Sequence, residues 1–321
     1  MNKKWIGRNK FGRKPEFGAL VAFLTIGVGF SLAAKGFFSL ATLASVLTVV
    51  AELGIVTLGI SILMITGEFD LSVGSNLAIS SIVAGRLLQQ GLIDIIAIPI
   101  ALLFGTSLGI INGLIVVKTN IPSFIATLGT MMFWRGIILA LTGGHPTIPY
   151  FGHSLIFQIL NSRTILDFRT SAFWFVGLCL IAHGVISRTA YGNWVYAIGG
   201  NREIAYTLGL PVNKVRLFNF AFCGMMAALA GLMQLARFQS VDALRGQGLE
   251  LEAIAASVIG GVSLRGGLGS VYGAILGVLI VGLVRTGLLM AKAPPYWYQA
   301  FVGLILIIAM IVNRRIQASQ Q

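Results

Sequence analysis

The sequence predicts an all-α protein, a polytopic transmembrane bundle of about ten embedded helices. The 321 residues are 56% hydrophobic and only 10% charged, which is too little polar surface to cover a water-soluble globule of this size. Several runs of 18 or more mostly apolar residues are each long enough to cross a hydrocarbon core of about 30 Å as helix. These runs recur along the whole length, so the chain reads as one domain of packed spans (17–313) between a basic N-terminal segment (1–16) and a short tail (314–321).

Taken in order, hydropathy and helix breakers place spans near 17–34, 40–66, 70–88, 92–117, 124–141, 170–187, 214–236, 250–264, 269–290 and 297–313. The first follows Lys3, Lys4, Arg8, Lys10, Arg13 and Lys14. With its small residues Ser31–Ala34 it has the form of a signal peptide, but nine further apolar segments make an uncleaved first span the simpler reading. The second contains Glu52. The third follows the turn Gly67–Ser75. The eighth is short for a crossing, opens with Glu250 and Glu252 and ends in the glycine-rich run Gly260–Gly269. Non-helical backbone at membrane depth survives only under a cover of protein or water, so this segment is expected inside the bundle beside a pathway. The two glycine-rich turns form a faint candidate repeat. Gly109, Gly273 and Gly277 suit close helix packing.

Net charge is +13, but the cations are scattered between spans without a basic face, which argues against nucleic acid. With a cytoplasmic N-terminus, fourteen Lys/Arg fall on inner segments and eight on outer ends. This bias favours both termini cytoplasmic. Cys179 and Cys223 lie in apolar runs, and the three histidines have no ligand spacing, so neither a disulfide nor a metal site is expected.

The longest inner loop, residues 188–213, holds a helix signature. Asn201 can cap, Glu203 suits the positive end, Gly209 can terminate and Pro211 prevents a return. The helix, Arg202–Leu210, would present Ile204, Ala205 and Leu208 as a small apolar knob; it is either a connector or a docking element. Asp70 reads as a cap of the third span, a cytoplasmic gate residue, or both. Glu52, near mid-span, must face the bundle interior or a water path, with a pathway role or a helix-to-helix hydrogen bond. Asn112 and Arg135 offer donors and acceptors to a polyol. Trp134 suits either a sugar face or packing. Outside, Arg163, Arg169, Arg237 and Arg245 are solvated charges or contacts for an acidic partner.

Several motifs in order resemble one family. Glu203-Ile204-Ala205 with Gly209 resembles the Glu-Ala-Ala…Gly loop of ABC importer permeases. Tyr196–Glu203, Gly67–Ser75, Ile121–Thr130, Arg135-Gly136, Leu249–Ala256 and Gly260–Ser270 resemble the ribose-type sugar permeases. Two positions depart from that pattern: Glu68, where a second glycine is commoner, and Glu252, where aspartate is. The resemblance implies a permease subunit of an ATP-driven, binding-protein-dependent importer of a monosaccharide or sugar-like solute in the bacterial inner membrane. It also implies that Arg202, Glu203, Ile204, Ala205, Leu208 and Gly209 form the coupling helix that an ATP-binding subunit grips. Other implied partners are a periplasmic or extracellular sugar-binding protein, a second permease copy or homologue, and membrane lipid. The chain itself would bind no cofactor, because ATP and Mg would be used by the partner; no Gly-x-x-x-x-Gly-Lys-Ser/Thr loop occurs here. A proton- or sodium-coupled transporter is the alternative, suited by Glu52 and the broken eighth segment. An intramembrane enzyme is disfavoured, since no hydrolase motif is present.

Overall fold

The structure, a computed structural model, describes residues 15–146, 155–164, 167–294 and 296–318. The basic residues up to Lys14 lie outside the described residues. Among the described residues there is no strand, and the helices are α1 (Pro15–Ala33), α2 (Leu40–Ile65), α3 (Val73–Gln89), α4 (Asp94–Thr119), α5 (Ser123–Thr142), α6 (Leu155–Asn161), α7 (Thr170–Arg188), α8 (Ala190–Gly200), α9 (Arg202–Thr207), α10 (Val212–Phe238), α11 (Leu249–Ile259), α12 (Val271–Met290) and α13 (Trp297–Ala318). Every one of the ten predicted spans coincides with a helix. Six of them, α2, α4, α5, α7, α10 and α12, are long and apolar enough to cross a membrane. The remaining short helices α6, α8 and α9 fall in segments read as loops.

The bundle is built around α2, in which every residue from Val50 to Ile65 is buried. A helix apolar on all sides belongs in an interior. Against it lie α10 and α12, and α10 packs in turn on α3 and α4. The α4–α10 crossing is close because Gly109 lets the backbones meet: a Cβ there would fall 2.2 Å from the Phe220 carbonyl oxygen. Gly277 does the same for α12 on α11, facing the Ala256 carbonyl. Outward faces carry Leu103, Phe124, Phe133, Phe173 and Leu180, all exposed, as suits a chain whose solvent is lipid.

The loops assigned by charge to one side do gather at one end. Gly267 N–H donates to the Ile65 carbonyl at 2.8 Å, Phe69 N–H donates to Ser123 Oγ at 3.0 Å, and a Cβ on Gly199 would strike the Ile65 carbonyl. The α2–α3, α4–α5, α8–α10 and α11–α12 connections therefore form a common face, the one that the charge bias reads as inner. At the opposite end lie α6, the start of α7 and the α10–α11 turn.

Two spans are broken. After α2 reaches the inner end, residues 66–72 climb back into the bundle, and α3 starts at mid-depth, where Asn76 Nδ2 donates to the carbonyls of Gly105 and Gly224 in the middles of α4 and α10. After α10 reaches the outer end, residues 239–248 descend, and α11 starts against α3: a Cβ on Gly74 would sit 2.2 Å from the Gly246 carbonyl oxygen. The eighth segment is thus interior, as expected. Connections 66–72 and 239–248 both enter the bundle, from opposite ends, while turn 260–270 stacks on Gly67 and Gly199.

The α4–α10 crossing gives a direct test. Gly109→Ala should lower stability by about 3 kcal/mol, the upper end for overpacking, since it meets backbone. Gly129→Ala, whose Cβ meets nothing within 4 Å, should be neutral or stabilise by up to about 1 kcal/mol. Thermal unfolding of both variants in detergent reads the difference.

Candidate functional site

The inner loop 188–213 is more structured than a connector. Thr189 caps α8, and Asn201 Oδ1 accepts from Ile204 N–H at 3.0 Å to start α9. Helix α9 is shorter than expected, ending at Thr207 with Leu208 as its C-cap, and Gly209 turns the chain at φ +76°. Ile204 and Leu208, one turn apart, are 55% and 71% exposed, whereas Ala205 is 1% exposed. The apolar knob is therefore Ile204 and Leu208, with Ala205 turned against the bundle. Glu203 stays on the surface in the first turn.

Behind this helix lies an ion cluster that hydropathy does not reveal. Glu68 Oε1 accepts from Arg216 Nε at 2.8 Å and is also bridged by Arg202, the first residue of α9. Glu68 and Arg216 are each 3% exposed. Removing one member of such a buried pair costs about 3–5 kcal/mol, because the survivor is left uncompensated. Only the departure of Glu68 from the glycine motif marked this position. Two residues on, Asp70 accepts from Ser72 N–H at 2.8 Å and from Ser72 Oγ at 2.7 Å, and Asn112 Nδ2 reaches both Asp70 oxygens at 3.3 Å. Asp70 thus secures the entry to α3 through Ser72, the N-cap residue two positions on, and fixes it to α4. Leu71 N–H donates to Thr127 Oγ1 of α5 at 3.1 Å.

In the outer half, a cavity of about 290 Å³ is lined by Val49, Glu52, Gln234, Arg245, Glu252 and Arg285, among others. It adjoins a second, of about 430 Å³, that shares Val49, Arg237 and Arg285 and reaches Thr48, Arg163 and Arg169. Glu52 Oε1 accepts from Arg237 Nη1 at 3.1 Å and from Asn161 Nδ2 at 3.4 Å, so this carboxylate is both ion-paired and cavity-facing. Glu252 accepts from Tyr298 O–H at 2.9 Å, and the Arg285 guanidinium lies over the Tyr298 ring. Burial, and then the neighbouring Arg237, lower the pKa of Arg169.

Other candidates are occupied elsewhere. Trp134 packs edge-to-face on Phe104 and Phe133. Arg135 Nη1 donates to the carbonyls of Ala243 at 2.6 Å and Arg245 at 3.1 Å, holding the descending turn 239–248. Of the five path candidates, Glu52 alone lines this outer cavity. Arg163 pairs loosely with Asp167 at 3.8 Å, with both side chains about 70% exposed. Arg237 and Arg245 were read as outward contacts; they turn into the cavity instead, Arg237 to Glu52 and Arg245 to Ser240. Sequence reasoning missed Gln234 and Arg285 as cavity residues, since each reads as one polar position in an apolar helix.

Known proteins are similar to this chain over most of its length. The chain is 32% identical over 304 residues to the ribose import permease protein RbsC of Escherichia coli K12, covering 94% of each. It is 33% identical over 319 residues to the autoinducer 2 import system permease protein LsrC of Yersinia pseudotuberculosis, covering 98% of this chain and 88% of that one. The ribose import permease RbsC of Haemophilus influenzae is 33% identical, covering 93% and 92%. No solved structure matches. A family model described as branched-chain amino acid transport system / permease component matches residues 42–310. The chain therefore belongs to the branched-chain amino acid transport system / permease component family.

Proposed function

We propose that this chain is the permease subunit of an ATP-driven, binding-protein-dependent importer of a monosaccharide or sugar-like solute, embedded in the bacterial inner membrane with about ten helices and both termini cytoplasmic. The observation that carries the reading is α9: a capped helix at the face where the inner loops gather, offering Ile204 and Leu208 to solvent. An ATP-binding subunit would seat that knob in a groove, in the manner of a helix anchored by apolar residues one turn apart. ATP would be hydrolysed there with Mg as cofactor, and this chain would do no chemistry of its own. A soluble sugar-binding protein would deliver solute to the outer end, and a second copy or homologue would complete the path. The names of the relatives, a ribose permease and an autoinducer 2 permease, support a small sugar-like cargo.

The outer cavity suits such cargo. Its carboxylates are already engaged, Glu52 by Arg237 and Glu252 by Tyr298. What it offers is a set of directed donors and acceptors that can exchange hydroxyl hydrogen bonds without a tight charge trap. The pairing of Glu52 with a guanidinium that stays protonated also argues against its use as a proton- or sodium-coupling site, which must gain and lose its ion.

Two experiments test these parts separately. Ile204→Asp/Leu208→Asp, Gly209→Val and Glu203→Lys should each reduce co-purification of the ATP-binding subunit by at least about tenfold, the effect of losing one good anchor, with membrane insertion intact. Normal subunit capture and uptake in all three would refute the docking assignment. Val49→Phe, which pushes a ring into both cavities, should leave subunit capture unchanged and slow solute uptake by about tenfold. Uptake at the parent rate would place the path elsewhere.

A further inference from the structure

We propose that Glu68 is the positioning residue that carries movement of α9 to the solute cavity, so that its carboxylate sets how much solute is moved per ATP hydrolysed. The inference rests on the reading of α9 as the docking helix.

Helix α9 is short, and its attachments to the rest of the bundle are few. Ala205 is buried, Tyr206 O–H meets Asn213 across the following turn, and Arg202 reaches Glu68. Ala205 belongs to the buried core, and Tyr206 ties α9 to its own continuation into α10. Of the two polar side chains, Arg202 is the one that crosses to a distant part of the chain. Its partner is held firmly from the other side, since Arg216 of α10 brings Nε to 2.8 Å and Nη2 to 2.7 Å of the same Glu68 oxygen. One carboxylate oxygen thus clamps the start of α9, the base of α10 and the end of α2.

From Glu68 the chain runs into the bundle hydrogen-bonded on both sides. Phe69 and Leu71 are hydrogen-bonded to α5, and Asp70 to α4. The segment ends at Gly74, whose backbone lies directly on Gly246. Gly246 lines the outer cavity together with its neighbours Arg245 and Gln247. A displacement of α9 therefore has a continuous route of ion pair, tethered strap and backbone contact to the cavity wall. Beside it, the Gly267 N–H bond to the Ile65 carbonyl and the Asn219 bond to Thr66 hold the end of α2 in place, so the strap can move only as part of that inner node.

Charge makes this link selective. Without the Glu68 carboxylate, two guanidiniums face each other with no counter-ion. Arg216 is enclosed, but Arg202 is 41% exposed and can withdraw into water, which frees α9 from the strap while leaving its docking face intact.

The test uses the full assembly, with ATP-binding subunit and binding protein, reconstituted in liposomes. Glu68→Gln should still capture the ATP-binding subunit, yet the ATP hydrolysed per solute imported should rise about tenfold, within the usual range of coupling between sites. Because Arg216 left uncompensated can lower the folded yield, the paired variant Glu68→Gln/Arg216→Gln, with two amides able to hydrogen-bond, is measured beside it; it should fold and remain uncoupled. A purely structural role for Glu68 would lower thermal stability and leave that ratio unmoved. Either variant, folded and subunit-bound, importing solute at the parent's ATP cost overturns the proposal and leaves the docking reading standing. If the parent chain captures no ATP-binding subunit through α9, both readings fall together.

Discussion

In a hydrocarbon solvent every backbone amide and carbonyl must find its partner within the protein, and the rest of this structure follows from how that demand is met at two places where helices break. Residues 66–72 and 239–248 put non-helical backbone inside the bundle. The first is met by Ser123, Thr127 and Asp70, the second by Arg135 reaching the carbonyls of Ala243 and Arg245. Asn76 and Asn161 likewise donate to carbonyls of Gly105, Gly224 and Met233. Arg135, which looks like a solute ligand in the sequence, is thus engaged with backbone carbonyls, groups that are costly to leave unpaired in a low-dielectric interior.

Charged residues divide by the same economy. Deep carboxylates are engaged where they stand: Glu52 by Arg237 and Asn161, Glu68 by Arg202 and Arg216, and Glu252 by Tyr298. Arginine suits these sites because its planar fork serves one carboxylate from several angles and remains charged when desolvated. The outer cavity consequently combines several guanidiniums with occupied acids, a wall that is polar but holds no free carboxylate among Glu52 and Glu252. Such a lining can pass a hydroxyl-rich solute, because each contact made on entry replaces one that the wall or water already made.

Local signals explain how much was legible. The ten apolar segments are long enough that length and composition alone located them, and each is a helix. Helix α9 was legible because capping is local: Asn201, Glu203 and Gly209 act within one loop. Its inward-facing Ala205 was not, since which side of a short helix meets the bundle depends on elements far along the chain. The ion cluster at Glu68 and the cavity residue Arg285 were hidden for the same reason. Their partners lie far away in sequence, and a single charge in or beside an apolar run carries no information about which other run it will face. Arg237 misled because proximity to a span end suggests solvent, whereas the chain after it descends and encloses it.

The two broken spans run in opposite directions and meet where Gly74 rests on Gly246. Helix α3 leaves that point toward the outer end, where Arg86 reaches the Leu141 carbonyl, and α11 leaves it toward the inner end, where Gly260 lies on Gly273. Helices of these lengths, about 25 Å and 17 Å, each cover only part of the membrane thickness, so neither half of the bundle is continuous through this line. A contact of backbone on backbone has no rotamers to absorb a shift, unlike a side-chain interface that can repack. Displacement of the inner strap must therefore either move the outer turn or open the contact.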